Sequence, residues 1–358
     1  MTRRPTPPAR YQATGRPPSP GGYGTVEVWH DEMLDRDVAI KWLVSHEGEE
    51  QLFNEWRILA NATSRYVVEI YDLVFDHHGV LFGIVMEFVS GETLDKFPVP
   101  ANKEQSLAAT RLLYQFATGI ADLHGSEVVH RDIKPDNAMI EEGGRLKICD
   151  FGLSGPPNTV TLQARGTLGY RAPELFFSPA TVTFKSDVYA FGAVCWKVFT
   201  GGFPLIGRSG LPEASEFPIA SISTKVPDMP PRLTKIIDSC LARNPSERPD
   251  MIAVAMALRN ELTRGKHVGS LALGTGPAVM DANTPQKRLG TGSNSIQVSY
   301  DEYDFRVDTV AGEVYINNSR AHSGDLLTEG CLLTFGASNL GPQRAFAPFR
   351  QFTPEVVI

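Results

Sequence analysis

The chain has 358 residues, of which 42% are apolar and 21% are charged, and its formal net charge at pH 7 is −7. The apolar share is enough for a packed core and excludes wholesale disorder. The negative charge argues against a nucleic-acid-binding protein. The length predicts one large domain and one smaller domain.

The four cysteines lie far apart in the sequence, without the paired spacing of a disulfide framework or a zinc site. A reducing compartment is therefore expected. No stretch approaches the roughly eighteen apolar residues of a membrane-spanning helix. The N-terminus also lacks the apolar region of a secretory signal. These patterns predict a cytoplasmic protein without a membrane span.

Residues 1–20 contain six prolines, four arginines and no acidic residue, which predicts a flexible tail. Three glycines, Gly21, Gly22 and Gly24, follow directly and precede a strand that includes Val26. Glycine lets backbone amides approach a phosphate without interference from a side chain. The prolines before these glycines lack amide donors, so the front of this loop is expected to be stiff.

Strand-like and helical patterns alternate after this loop. An apolar strand, residues 38–41, ends in Lys41. A helical stretch follows at residues 49–60, where Glu55 lies among apolar neighbours, and another strand is predicted within residues 84–91. Further along, Leu113, Phe116, Ile120 and Leu123 recur at helical spacing, so helices are expected to dominate the middle of the chain.

Two polar blocks follow this helical region. Residues 130–137 read His-Arg-Asp-Ile-Lys-Pro-Asp-Asn and residues 150–152 read Asp-Phe-Gly, with Asp150 eighteen positions after Asp132. The two blocks resemble the catalytic loop and the magnesium-binding triplet of protein kinases. Phosphoryl transfer needs both, because charge must be neutralised on the triphosphate while a hydroxyl is aimed at its terminal phosphorus. The resemblance extends over residues 11–264.

This resemblance implies chemical roles for individual residues. Asp132 would accept the proton of the attacking hydroxyl, and Asn137 and Asp150 would hold magnesium, or manganese in its place. The residues expected to bind ATP are Gly21, Gly22, Gly24, Val26, Ala39, Lys41, Met86, Glu87, Val89 and Met139.

Lys41 would hold the α- and β-phosphates of ATP, and the resemblance implies that a carboxylate keeps this lysine in position. We expect Glu55 to supply it, because the apolar residues around Glu55 resemble the corresponding helix of the family. If that helix is rotated, Glu49 or Glu50 would take the role instead.

The resemblance also bears on specificity and regulation. Lys134, which belongs to the expected catalytic set, is the residue type of serine/threonine-specific members, and Thr167 would tie the activation segment to the catalytic loop. Arg131 would receive a phosphate from Thr159 or Thr161 by charge-assisted hydrogen bonds. The alternative is that these two threonines are solvated loop hydroxyls.

Three further residues resemble structural positions of the family. Residues 172–174, Ala-Pro-Glu, match the end of the activation segment, and Arg248 would pair with Glu174 to fix that segment. Asp187, at the start of an apolar helix, would accept hydrogen bonds from the backbone of the catalytic loop.

The resemblance predicts an α+β fold: a two-lobed kinase domain over residues 21–264, with a β-rich N-lobe and a helical C-lobe. Residues 265–292 are rich in Gly, Thr, Pro and Ser and are expected to form a linker. Residues 293–358 alternate strand patterns with turn signals, which predicts a small all-β domain. Segments of that domain weakly resemble the last strands of a forkhead-associated domain, a phosphothreonine-binding family, but its phosphate-binding elements are lacking.

The sequence therefore predicts a serine/threonine protein kinase that transfers the γ-phosphate of ATP to protein hydroxyls and autophosphorylates. Its expected partners are protein substrates and a docking partner for the C-terminal β domain. The alternative is a pseudokinase scaffold that signals by binding through that domain. The intact set of charged residues favours the enzyme. The glycine-rich loop leaves the scaffold open, because Ser19 stands where the family has its first glycine, unless Gly15 is that glycine, displaced by an insertion.

Overall fold

The computed structural model describes residues 7–21, 24–43, 56–57, 63–75, 78–161, 166–204, 218–274 and 276–355. The chain divides into two compact units, Met1–Leu258 and Arg259–Val357. Among the described residues, no helix has the length and apolar character needed to cross a membrane.

The first unit begins with an antiparallel sheet whose strand order is β1-β3-β4-β6-β5, with β2 paired to β3. Its strands are β1 Tyr11–Ala13, β2 Ser19–Gly21, β3 Gly24–Asp31, β4 Arg36–Leu43, β5 Ile70–Phe75 and β6 Leu81–Glu87. Side chains alternate between the two faces of a strand. Val38, Ile40 and Trp42 therefore enter a small core on one face of β4. Ala39 and Lys41 share the opposite face, where Ala39 joins the main core.

The predicted flexible tail is wrong for residues 7–20, because this segment supplies β1 and most of β2. Tyr11 is buried in the small core, and its hydroxyl donates to Asp72 at 3.1 Å. Arg10 Nη2 lies 2.8 Å from Oδ2 of Asp31, a carboxylate that is fully buried. A buried carboxylate needs a cationic partner, so Arg10 has a structural role as the partner of Asp31.

The helical region of the first unit is built around α1 Lys103–Gly125 and α2 Phe184–Thr200. The helical spacing predicted over Leu113, Phe116, Ile120 and Leu123 is confirmed, since all four side chains of α1 are fully buried. Two shorter helices follow, α3 Pro231–Cys240 and α4 Met251–Leu262.

Short strands connect these helices and carry the loops of the site. They are β7 Gly91–Thr93, β8 Ala138–Glu141, β9 Leu146–Ile148, β10 Thr159–Thr161 and β11 Ala180–Val182. The first three form one sheet, and β10 pairs with β11. Strand β9 also forms a parallel bridge with Val67, which lies just ahead of β5.

The second unit contains two sheets around one core. One sheet has the order β13-β12-β21-β20-β17-β18 and the other β14-β15-β16-β19. The strands are β12 Val268–Leu273, β13 Gly276–Met280, β14 Gln286–Thr291, β15 Asn294–Tyr300, β16 Phe305–Ala311, β17 Val314–Ile316, β18 Ser319–Arg320, β19 Leu326–Leu327, β20 Leu332–Phe335 and β21 Ala345–Phe352.

The structure differs from the linker expected over residues 265–292, which instead forms β12, β13 and β14. Two of the glycines that suggested a linker occupy turns: Gly274 and Gly292 have positive φ angles of 71° and 58°, which glycine adopts without strain. Between these turns, Leu271, Met280 and Leu289 are buried in the core.

The ion pair of Glu174 and Arg248 anchors the end of the activation segment, as predicted. Arg248 Nη1 and Nη2 each donate to the Glu174 carboxylate at 2.8 Å, and the arginine side chain is fully buried. Its remaining donors reach the carbonyl oxygens of Lys185, Ala242 and Arg243.

Replacing Glu174 by alanine would leave this guanidinium buried without a carboxylate. We expect the free energy of unfolding to fall by about 3–5 kcal/mol, measured by urea denaturation. Glu92→Ala, which breaks the exposed pair of Glu92 and Lys96, should change it by no more than about 0.5 kcal/mol. Equal losses in the two variants would contradict the prediction.

Candidate active site

The backbone of the catalytic loop is held by the carboxylate of Asp187, in the first turn of α2. The amides of His130 and Arg131 donate to it at 2.8 and 2.9 Å, and His124 Nε2 lies 3.0 Å from Oδ2. Arg131 has a φ of 70°, a strained value for a residue other than glycine. The two amide contacts stabilise this conformation and so direct the following residue, Asp132.

Four donors fix the carboxylate of Asp132. The hydroxyl and the amide of Thr167 donate to Oδ1 at 2.9 and 3.2 Å. Lys134 Nζ and Asn137 Nδ2 donate to Oδ2 at 2.7 and 3.1 Å. Lys134 Nζ also lies 3.1 Å from the Thr167 hydroxyl. The structure thus brings the predicted residues 132, 134, 137 and 167 into one network.

Asp150 faces Lys41 across the site. Lys41 Nζ donates to Oδ1 of Asp150 at 3.0 Å, and the lysine side chain is only 5% exposed. Burial alone would raise the pKa of Asp150. The charge and the hydrogen bond of Lys41 act in the opposite direction, and the resulting pKa lies below its ordinary value. The carboxylate of Asp150 therefore stays ionised at neutral pH.

The predicted carboxylate partner of Lys41 cannot be compared in the same way. Glu55, Glu49 and Glu50 all lie outside the described residues. Its assignment stays a prediction, and the described partner of the lysine is Asp150.

The predicted adenine-binding residues lie together in the first unit. Ala39, Met86 and Val89 are buried in its main core, and Val26 and Met139 pack against that core. Strand pairing sets Ala39 directly opposite Met86. Glu87 is the last residue of β6, where the chain leaves the sheet.

The glycine-rich loop is the hairpin of β2 and β3. Gly21 and Gly24 stand opposite each other at its end, and Val26 pairs with Ser19 and with Lys41. Gly22 lies outside the described residues. The register therefore sets this hairpin directly beside the strand that carries the lysine.

Sequence reasoning missed the ion pair of Lys147 and Glu87. Lys147, on β9, is 3% exposed, and its Nζ lies 2.8 Å from Oε2 of Glu87. The same ammonium donates to the carbonyl oxygen of Val67 at 3.4 Å. A lysine inside the apolar strand that precedes Asp150 was the available signal. The pair ties the end of β6 to the strand that leads to Asp150.

Arg131, in the catalytic loop, contacts one of the two predicted phosphorylation sites of the activation segment. Its Nη2 donates to the hydroxyl of Thr159 and to the carbonyl oxygen of Pro156, both at 2.9 Å. Thr159 and Thr161 are the two ends of β10, whose pairing with β11 fixes the position of the segment.

Comparison with known proteins identifies the family. Residues 19–259, more than half of the chain, match the family described as protein kinase domain. The chain therefore belongs to the protein kinase family, as predicted. The α+β architecture, with a β-rich N-lobe, a helical C-lobe and an all-β region after them, is confirmed as well. Members of this family use ATP and a divalent metal ion.

Several curated bacterial proteins resemble the chain. It is 32% identical over 252 residues to the serine/threonine-protein kinase PknL of Mycobacterium tuberculosis, covering 66% of this chain and 62% of that protein. It is 33% identical over 242 residues to PrkC of Bacillus subtilis, covering 64% of this chain and 37% of that protein. It is 35% identical over 255 residues to PknA of Corynebacterium glutamicum, covering 66% of this chain and 53% of that protein. The chain thus spans less than two thirds of the length of each of these relatives.

Replacing Lys41 by methionine should raise the pKa of Asp150 from its lowered value, because burial remains while the charge and the hydrogen bond of Lys41 are lost. A lowered pKa in the folded state stabilises the fold above the unfolded pKa, and this contribution is lost as the pH falls through the folded pKa. A rise in the folded-state pKa of Asp150 reduces this contribution, so the variant should be less stable than the wild type at neutral pH.

NMR titration of the aspartate carboxyl carbons would measure this shift. Lys185→Met, which removes a lysine paired with Asp250, is the matched control and should leave the titration of Asp150 unchanged. An unchanged pKa of Asp150 in Lys41→Met would refute the assigned cause.

Proposed function

We propose that the chain is a serine/threonine protein kinase, which transfers the γ-phosphate of ATP to serine or threonine hydroxyls of proteins. One observation carries the proposal: the carboxylate of Asp132 is fixed by Lys134, Asn137 and Thr167, and Lys41 pairs with Asp150 in the same unit. The relatives PknL, PrkC and PknA are named serine/threonine-protein kinases, which supports the proposal.

In this mechanism Asp132 accepts the proton of the attacking hydroxyl. Its two oxygens are oriented by separate groups, Oδ1 by Thr167 and Oδ2 by Lys134 and Asn137. The carboxylate therefore needs little reorganisation when substrate arrives, which is the main catalytic benefit of such fixed groups. The ammonium of Lys134, next to this carboxylate, would stabilise the negative charge on the transferred phosphoryl group.

The donors available for a metal suit magnesium. Mg²⁺ prefers oxygen ligands such as carboxylates and amide carbonyls. Asp150 supplies an ionised carboxylate, and Asn137 directs its Nδ2 to Asp132, so the amide oxygen is the atom suited to coordinate metal. When bound, the ion would neutralise charge on the β- and γ-phosphates. Manganese has the same preference for oxygen donors and would fit the same residues.

Lys41 would contact the α- and β-phosphates, exchanging part of its interaction with Asp150 for them. The apolar cluster of Val26, Ala39, Met86, Val89 and Met139 would enclose the base, and the backbone of residues 87–89 would bind its polar edge. Glu55 is proposed to support Lys41 when nucleotide is bound.

Specificity for serine and threonine is supported by Lys134 and Thr167, which lie 3.1 Å apart beside Asp132. The alternative, a pseudokinase scaffold, would be expected to lack a charged catalytic group or its contact. Among the described residues, Lys41 contacts Asp150 and Lys134 contacts Asp132.

The second unit, residues 259–357, is proposed as a module that docks a protein partner. Its predicted resemblance to a forkhead-associated domain stays a prediction. A reducing, cytoplasmic location is proposed from the four cysteines, all of which lie among the described residues without a disulfide.

Asp132→Asn should reduce phosphate transfer by at least about a hundredfold, because the amide cannot accept the proton, while nucleotide binding is retained. Transfer of labelled phosphate from ATP-magnesium to the protein and to a generic serine/threonine substrate would measure this. Asp35→Asn, in the exposed turn between β3 and β4, is the matched control and should behave as the wild type. A wild-type protein that binds ATP without transferring phosphate would favour the scaffold.

Thr159 is the proposed autophosphorylation site, because its hydroxyl already contacts Arg131 and a phosphate there would form charge-assisted hydrogen bonds with that guanidinium. After incubation with ATP-magnesium, mass spectrometry should find phosphate on Thr159. Thr159→Ala should lower the activity of the preincubated enzyme several-fold, whereas Thr161→Ala, two positions along the same strand, should not. An unmodified Thr159 in active enzyme would exclude this site.

A further inference from the structure

The segment that leads into the glycine-rich hairpin, residues 14–18, is fixed by local contacts. Thr14 Oγ1 donates to the carbonyl oxygen of Val28 at 2.6 Å, and the amide of Arg16 lies 3.4 Å from the same hydroxyl. Pro17 and Pro18 follow, and proline holds φ near −65°. The hairpin therefore has a rigid entrance where a glycine-rich loop usually begins with a glycine; the corresponding residue here is Ser19.

The side chain of Arg16 connects this entrance to two other elements. Its Nη2 lies 3.1 Å from Oδ2 of Asp37, at the start of β4. Its Cζ atom lies 5.1 Å from the ring centroid of Phe88, in the segment that follows β6. Asp37 is held in turn by Nδ1 of His30, 3.2 Å from its other oxygen. One guanidinium thus contacts both β4 and the segment after β6, and each of these elements carries residues of the proposed base site.

The combination of contacts argues for a defined position of Arg16. The arginine is 51% exposed, and an exposed ion pair alone contributes little. A planar guanidinium can, however, pair with a carboxylate and lie over an aromatic ring at once, which a lysine cannot do equally well. The contact with Phe88 gives the ion pair a direction.

We propose that Arg16 is a positioning residue for the nucleotide, which braces the rigid entrance of the glycine-rich hairpin against Phe88. The inference rests on the proposed function, since it assigns the hairpin and residues 87–89 to ATP binding. A hairpin whose entrance is already fixed loses less conformational freedom when nucleotide binds. Arg16 thereby helps to fix the entrance of the hairpin, where Ser19 stands in place of the usual first glycine. Nucleotide affinity depends on it, and the transfer step does not.

Arg16→Gln removes the charge and most of the stacking surface at similar length. The KM for ATP and the Kd for magnesium-ADP should rise three- to tenfold, with kcat and the midpoint of thermal unfolding nearly unchanged. Arg16→Lys, which keeps the ion pair with Asp37, should give an intermediate value. Arg36→Gln is the matched control: its arginine lies over Tyr71 on the same sheet, at 3.5 Å, and its loss should leave nucleotide affinity as in the wild type.

A double-mutant cycle tests whether the contact with Phe88 is responsible. If it is, Phe88→Leu combined with Arg16→Gln should weaken magnesium-ADP binding no more than Arg16→Gln alone. Fully additive effects would overturn the proposal. Wild-type affinity in Arg16→Gln would also overturn it. So would changes in KM, kcat and thermal stability that are equal in Arg16→Gln and Arg36→Gln.

Calorimetric binding of magnesium-ADP separates this inference from the proposed function. A protein that transfers no phosphate but binds magnesium-ADP more weakly after Arg16→Gln would support the brace and reject the kinase. A protein that transfers phosphate with unchanged affinity in the variant would do the reverse. A wild type that binds no magnesium-ADP would overturn both.

Discussion

The proposed chemistry depends on the hydrogen bonds that the carboxylate of Asp187 accepts from the backbone of the catalytic loop. This carboxylate is 1% exposed and compensates for its burial by accepting two backbone amides and facing His124. Those amides belong to a segment in which Arg131 adopts a left-handed conformation that costs of order 1–3 kcal/mol. Without that support the loop would relax, and Asp132 would no longer face Lys134 and Thr167.

Strand β9 connects the segment that carries Asp150 to other parts of the first unit. It has only three residues, yet its backbone pairs with β8 and with Val67, and Lys147 reaches Glu87 at the end of β6. Asp150 follows two residues later and meets Lys41 from β4. The segment after β6 and the carboxylate that would hold metal are therefore attached to the same short strand.

The sequence allowed a candidate catalytic set to be proposed because its residue types are closely spaced and chemically unusual. Residues 130–137 and 150–152 supply most of it, and the register of β4 follows from simple alternation. Contacts between distant positions could not be read in this way. Arg10 with Asp31, Tyr11 with Asp72 and Lys147 with Glu87 each join segments whose neighbourhood only the folded sheet creates. Composition also misled: the prolines and glycines of residues 1–20 and 265–292 suggested a tail and a linker, whereas residues 7–20 and most of residues 265–292 form strands and the turns that connect them.

The topology of the second unit has a consequence for its synthesis. Strand β21 is the last strand of the described residues, yet it lies between β12 and β20 and hydrogen-bonds to both. While the ribosome is still making residues before Ala345, the hairpin of β12 and β13 and the strand β20 each present an unpaired edge. Such edges invite pairing with other chains. Premature termination ahead of this strand would therefore yield an aggregation-prone polypeptide, whereas the first unit would already be fully synthesised.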